Sequence, residues 1–431
     1  AKDSTLRKAV AFGRAQAEAR DRKQGAVRRL RSEMIEMIMR PGGEEIQEVA
    51  THAPGEVEFL PAKAGEKRRV VTGERMTFYY GGANALERAN VVQAATRTYS
   101  PPRKDSKGVK ETVATTRSQA LEAFFDTETG QMTKLEQWLD FHYEEEGRRA
   151  VAERAALDNL REIITLREKA RLWDATGSTA AREIVIEQAT GNMIAIGEVN
   201  STRLPEKKQS SSGMLADGEA MQARAERMSV TEDNQRIVYE GGAVLWQGAR
   251  RIEGRTIVIN RKEQTLEARG QVMTQLPEQA PGGGFTIVRS DAMFYSERLK
   301  QAFYSSAPNR AVTLERPALR VAAKTLKAWF VSVPKKDGGE ETQVDRMLCE
   351  GAVRLAGSKD GRQRDGESEA AEYFPREERL ELWGGNPVVT DSARGVSRGA
   401  RITWLTAEDR LIVDNTGSGP AVSRIKDSKR K

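Results

Sequence analysis

The chain is short of the residues from which most catalytic and metal centres are made. Its 431 residues include one cysteine, Cys349, and two histidines, His52 and His142. A single thiol excludes an intramolecular disulfide and a zinc site built from thiolates. His142 sits in "DFHYEEE" with Asp140, Glu144 and Glu145 beside it. These donors lack ligand spacing on one face, so the stretch reads as a solvated acidic segment. Acidic residues are plentiful, but none are set apart as the carboxylate pair a hydrolase needs. The triple glycine at 282–284 is not followed by Lys-Ser/Thr and is no phosphate loop. No apolar run reaches the length of a membrane-spanning helix. No recognition helix or aromatic–basic RNA motif is written either. The expectation is a non-enzyme: no catalytic residue, no metal, no cofactor and no nucleic-acid partner.

Hydrophobic residues make up 38% of the chain and aromatic residues 6%. That is lean for a globule, but two thin facing sheets need few core side chains per strand. The 70 basic and 63 acidic residues leave a net charge of +7. The surplus fits an anionic partner, although it is spread along the chain. The opening "AKDSTLRKAV" has no signal-peptide pattern, and the repeat described next is already under way there. A mature or trimmed chain without its export signal is expected.

What the chain has in abundance is alternation around glycine. "VYEGGAVLWQ" places Tyr239, Ala243 and Leu245 about Gly241, and "LEARGQV" places Leu266, Ala268 and Val272 about Gly270. Related phrases centre on Gly13, Gly55, Gly197, Gly351 and, more loosely, Gly385. Period-two alternation is the signature of a strand, because successive side chains point to opposite faces. A glycine fixed inside a strand marks a bend, a bulge or a close backbone approach. Here it is expected where a strand curls from one sheet into another.

A second phrase precedes most of these: a small residue, a charged one, then an alternating apolar run and a polar turn. "AREIVIEQATGN" (181–192), "AERMSVTEDNQ" (225–235) and "GRTIVINRKEQ" (254–264) are examples. Each unit is read as strand, turn, glycine-bent strand and connection, at spacings of about 30–45 residues. With roughly 10–12 residues per strand and turn, about 36–40 strands are expected. Residues 1–30 and 134–173 admit both readings. "LREIITLREKARLW" has helix-forming composition, yet Ile164, Leu166, Ala170 and Leu172 also alternate. The strand reading is preferred because the repeat resumes without a break.

The stretch "IVYEGGAVLWQGARRIEGRTIVINRKEQTLEARGQV" (237–272) resembles the OstA-like domain of the lipopolysaccharide-transport proteins of the LptA/LptC group. Gly241, Ala243, Leu245, Gln247 and Gly248 match that family's glycine-centred strand and its Gln-Gly step. Gly254-Arg255-Thr256-Ile257 stands where Ala-Asp-Lys-Val is usual, so the acidic position has changed. The resemblance implies an all-β, elongated two-sheet antiparallel β-taco or β-jelly-roll repeat array with an open apolar groove. It divides the chain into diverged repeats at 1–180, best-matching repeats at 181–284, diverged repeats at 285–415 and a basic, disordered tail at 416–431.

The same resemblance implies a periplasmic lipid conduit that shields lipopolysaccharide acyl chains between the inner and outer membranes. Its partners would be lipopolysaccharide or a related lipid and the β-taco domains of an inner-membrane anchor and an outer-membrane translocon. End-to-end self-association is expected as well. The residues expected to line the groove are Met193, Ala195 and Val199 in one unit, and Ile237, Tyr239, Ala243, Leu245, Leu266, Ala268 and Val272 in the next. Basic clusters at Lys67-Arg68-Arg69, Arg148-Arg149, Lys207-Lys208, Arg250-Arg251 and Lys335-Lys336 could meet phosphorylated head groups, and Arg250, Arg251, Lys207 and Lys208 are the candidates chosen. Two alternatives stay open: a structural or adhesive array with a closed core, and a polysaccharide-binding β-solenoid. A one-residue slip would also exchange the two faces.

Overall fold

The computed structural model describes residues 5–20, 27–61, 63, 65–101, 111–205, 219–231, 233–278, 284–334, 340–359, 361–414 and 422–425. Thirty strands and a single-turn 3-10 helix at Gly82–Asn84 are found among them, and no α-helix. The chain divides into two compact units, Ala1–Val199 and Asn200–Lys431.

The first unit holds β1 (Lys8–Arg20), β2 (Val27–Met39), β3 (Ile46–Thr51), β4 (Gly55–Leu60), β5 (Arg68–Gly73), β6 (Arg75–Tyr80), β7 (Leu86–Ser100), β8 (Thr112–Phe125), β9 (Met132–Glu145), β10 (Arg148–Asp158), β11 (Ile163–Asp174) and β12 (Gly177–Glu187). The division falls within β13 (Met193–Arg203). The second unit continues with β14 (Met221–Thr231), β15 (Arg236–Gln247), β16 (Arg250–Asn260), β17 (Thr265–Pro277), β18 (Phe285–Ser296), β19 (Gln301–Ser305), β20 (Val312–Arg316), β21 (Leu319–Ala323) and β22 (Thr325–Pro334). It ends with β23 (Glu340–Lys359), β24 (Arg362–Phe374), β25 (Arg379–Trp383), β26 (Val388–Asp391), β27 (Gly395–Arg398), β28 (Arg401–Leu405), β29 (Arg410–Asp414) and β30 (Val422–Ile425). The ambiguous stretches 1–30 and 134–173 form β1, the start of β2, and β9 to β11. The strands are fewer than the repeat spacing predicts because the long ones run through a corner rather than stopping at it; β7 has 15 residues and β23 has 20. Within the span expected to be a tail, Val422–Ile425 pair with β27.

The strands pair antiparallel, and long strands serve two walls. The first half of β15 pairs with β16 through Arg236–Glu240, and the second half through Ala243–Gln247. Where strands are split, the two walls separate outright. β18 meets β20 at Ile287–Arg289 and β19 at Ala292–Ser296. In the first unit, Leu30, Val57 and Ala94 of one wall share a single core cluster with Ile35, Phe78 and Leu121 of the other.

The corner has a recurring construction. On alternate strands two consecutive residues take left-handed φ: Gly13/Arg14, Gly197/Glu198, Gly241/Gly242, Gly270/Gln271 and Gly351/Ala352. The ladder slips there, for example between Glu240 and Ala243 and between Arg269 and Val272. These are β-bulges that bend the strand and re-aim its side chains. The neighbouring strands bring a small buried residue followed by a polar one to the same level. Instances are Ala181-Arg182, Ala225-Glu226, Gly254-Arg255, Ser290-Asp291 and Ser368-Glu369. Smallness is needed where two backbones converge. Where the residue is serine, its hydroxyl donates to the carbonyl two residues on, at 2.9 Å in Ser118 and Ser290 and 2.8 Å in Ser368. Those bonds satisfy carbonyls at the slip in the ladder.

The polar residue caps the glycine from outside. A Cβ on Gly241 would lie 2.6 Å from Cβ of Glu226, and one on Gly270 would lie 2.8 Å from Cβ of Arg255. Gly55 differs from the other glycines of the repeat, because it is absent from the left-handed set. There the corner is made by a break between β3 and β4 that includes Pro54, which cannot donate to a ladder.

Candidate functional site

The inward face of the second unit is a set of apolar rows running across the strands. One row follows direct register from Met228 through Tyr239, Ile257, Ala268, Met293, Tyr304, Leu326, Cys349, Ala371 and Leu382 to Ile402. Every member is buried. On the other wall, Ala223, Leu245, Ile252, Thr274, Val288 and Leu314 form a parallel row and are equally buried. Ile237, Tyr239, Ala243, Leu245, Leu266, Ala268 and Val272 lie on this inward face with at most 5% of their surface exposed. In β13, Ala195 and Val199 are buried and Met193 is half-buried. In this structure the predicted lining apart from Met193 is thus withdrawn from water. Sequence reasoning missed the partners on the intervening strands, Ile252, Ile257, Met293 and Tyr304, although their own alternation could have disclosed them.

Several polar groups of this interior have local partners. Tyr239 Oη donates to Ser201 Oγ at 3.3 Å, and burial raises its phenol above the ordinary value. Burial pushes the Tyr304 phenol up to about 12 and the Cys349 thiol up to about 12. A thiol so protonated is no nucleophile. The Gln-Gly step has a structural reason: Gln247 Nε2 donates to the Glu219 carbonyl at 2.6 Å, while Gly248 takes φ +56° beside the Glu219 carboxylate.

The head-group candidates do not gather at one place. Arg250 is half-buried and donates through Nη2 to the Thr342 carbonyl at 2.9 Å, which ties β16 to β23. Arg251 is exposed and paired with Glu253 at 2.5 Å. Lys207 and Lys208 lie outside the described residues. His142 is bonded to Asp140 at 2.9 Å, and His52 lies 3.3 Å from Glu36. No group of three or more acidic, histidine or cysteine side chains is placed to hold a metal ion among the described residues.

Residues 198–265 match the family model described as LptA/(LptD N-terminal domain) LPS transport protein. The likeness to that family lies in this segment. The match runs from the end of β13 through β14, β15 and β16 to the start of β17, so it includes the Gly241 corner and the Gln247-Gly248 step. Among solved structures, the chain is similar to LptH from Pseudomonas aeruginosa, titled the LptA homologous periplasmic component of the conserved lipopolysaccharide transport device. Identity is 17%, covering 28% of this chain and 82% of that one, with a TM-score of 0.25. No curated protein matches. Among the described residues, no helix is long and apolar enough to cross a membrane.

Proposed function

We propose that the chain is a periplasmic component of lipopolysaccharide transport that carries acyl chains between its two walls. The observation that supports this most is the unbroken apolar row from Met228 to Ile402, which crosses the family segment and continues beyond it. A lipid tail gains about 0.8 kcal/mol per CH₂ withdrawn from water. Along such a row each position offers nearly the same environment, so a tail can advance without entering water. The lining residues are Met193, Ala195 and Val199 in the first unit and, separately, Ile237, Tyr239, Ala243, Leu245, Leu266, Ala268 and Val272 in the second, and loading requires the walls of each to part. Partners are lipopolysaccharide and other transport proteins of β-taco type. End-to-end pairing is favoured at β1, which among the described residues pairs only with β2 and leaves Phe12 73% exposed.

The burial of every lining residue except Met193 favours a second reading, a structural array with a filled core. Organic extraction of the purified protein followed by mass spectrometry, with displacement of an apolar fluorescent probe by lipopolysaccharide, separates the two. The conduit predicts co-extracted lipid and displacement. It also predicts that Ala268→Trp, which fills the row, weakens probe binding at least tenfold. No lipid and no displacement would leave the structural array.

A further inference from the structure

In the first unit, two rows of side chains occupy opposite faces of the same three strands. The outward row is closed by charge. Arg29 stands opposite Glu58 across the ladder, and Glu58 Oε1 accepts from Arg68 Nη1 at 3.0 Å. The inward row has the same basic flanks with an aromatic ring where the acid would be. Arg28 is opposite Phe59, and Phe59 is opposite Arg69. With neighbouring strands about 4.8 Å apart, the two arginine Cα atoms stand about 9.6 Å from each other. Their side chains are long enough to converge on one small group.

The row lies at the rim. β2 starts at Val27, β4 ends at Leu60 and β5 starts at Arg68. It also reaches the facing wall. Phe59 stacks on Phe125 with ring centroids 6.0 Å apart, and the Arg28 guanidinium lies 5.5 Å from the Phe125 centroid while donating to the Gly130 carbonyl at 2.7 Å. Arg69 is half-buried, and its hydrogen-bond acceptor is the thioether of Met132 at 3.7 Å. Among the described residues Arg69 takes part in no ion pair. A guanidinium withdrawn from water normally has an anion beside it, because the desolvation cost is otherwise uncompensated. Burial accordingly holds Arg69 below its ordinary value.

We infer that Arg28 and Arg69 form the cationic half of a phosphate-binding site at the rim of the first unit, over an apolar floor of Phe59 and Phe125. Forked guanidinium donors match the oxygens of a phosphoryl group, which for Arg69 is a far better acceptor than a thioether. The ligand class is a phosphate ester. The floor of stacked rings, continuous with core residues Leu30 and Val57, fits the junction where a phosphorylated head meets a hydrocarbon tail. That version rests on the lipid-carrying reading above; a free phosphate needs only the two arginines.

The test compares lipopolysaccharide, chemically dephosphorylated lipopolysaccharide and inorganic phosphate on the wild-type chain and on Arg28→Gln, Arg69→Gln and the outward control Arg68→Gln. The intact lipid should displace an apolar probe at a concentration at least tenfold lower than the dephosphorylated one. Arg28→Gln and Arg69→Gln should each abolish that ratio, and Arg68→Gln should keep it. Arg69→Gln should melt no lower than wild type, since it removes a desolvated charge; Arg69→Lys, which keeps the charge, should retain part of the ratio. Equal displacement by both lipid forms, or a ratio unchanged in Arg69→Gln, would overturn the head-group site while the lipid-carrying reading stands. If neither lipid displaces the probe, that reading fails. Calorimetric binding of inorganic phosphate to wild type but not to Arg69→Gln would then keep the site for the free anion, and its absence would end it.

Discussion

At Leu139–Asp140 and Glu168–Lys169 the chain turns its corner without glycine, with φ between +54° and +62°. The corner therefore requires two left-handed residues, and glycine is the least costly way to supply them. A side chain in that region costs about 1–2 kcal/mol, partly offset by the lower chain entropy of the non-glycine unfolded state. Leu139→Gly should raise stability by about 0.5 kcal/mol in urea denaturation. Gly241→Val should lower it by about 3 kcal/mol, because a β-branched side chain is strained at φ +83° and would collide with Glu226. Cys349 gives a second check. Its folded value of about 12 lies above that of a free thiol, so the unfolded chain loses the proton first. The stability it contributes is present below the free-thiol pKa and is lost as pH rises from there toward 12. A water-soluble alkylating reagent at pH 8 should leave native Cys349 unmodified and label it fully in urea. Rapid labelling of the native chain would contradict a sealed row.

The elements are held in register by contacts of two kinds. One is the corner, where a polar residue on one strand caps a glycine on the next. The pairs 182/197, 226/241, 255/270 and 369/384 are each fifteen residues apart. That interval was legible in the sequence as a small–charged phrase followed by a glycine-centred one, and the bend at the glycine was legible with it. The role of the charged residue was not, because only the folded hairpin brings it over the glycine. The second kind is the buried ionic contact, which left no trace in the sequence pattern.

Arg364 on β24 donates through Nε to Asp391 on β26 at 2.7 Å and is ion-paired with Asp409, while Trp404 of β28 stacks over it with 4.8 Å to the ring centroid. Burial alone would raise Asp391. The Arg364 guanidinium and the backbone N–H groups of Ala393 and Arg394 outweigh it and hold the carboxyl well below the usual range. Its contribution is complete at neutral pH and is lost only as pH falls below the ordinary carboxylate value toward the depressed folded one. Arg364→Leu removes one of two guanidinium groups from Asp391, which keeps Arg362 Nη2 at 2.7 Å, and should cost about 1–3 kcal/mol, with Asp391→Leu in the same chain recovering part of the loss. An additive double mutant would show that the two residues act independently.

At the scale of the whole molecule, alternation around glycine pointed to paired strands, and the lean apolar content suited thin facing sheets. The face assignment was harder to read. In "EIVIE" both faces carry apolar residues, and a bulge shifts the inward parity within a single strand. On β16, Ile252 and Ile257 both point inward although five residues separate them. In sequence Lys67-Arg68-Arg69 is one basic cluster among several, and only strand register separates Arg69, beside a thioether, from Arg68, beside a carboxylate.

The claim on which the account turns is that the inward rows, and not the outward faces, meet lipid. A photoreactive residue placed at Leu266, which is 3% exposed, or at its outward neighbour Glu267 tests this within one strand. Irradiation in the presence of lipopolysaccharide should give a covalent adduct from position 266 and none from position 267. Adducts from both positions in equal yield, or from neither while the chain remains folded, would contradict it.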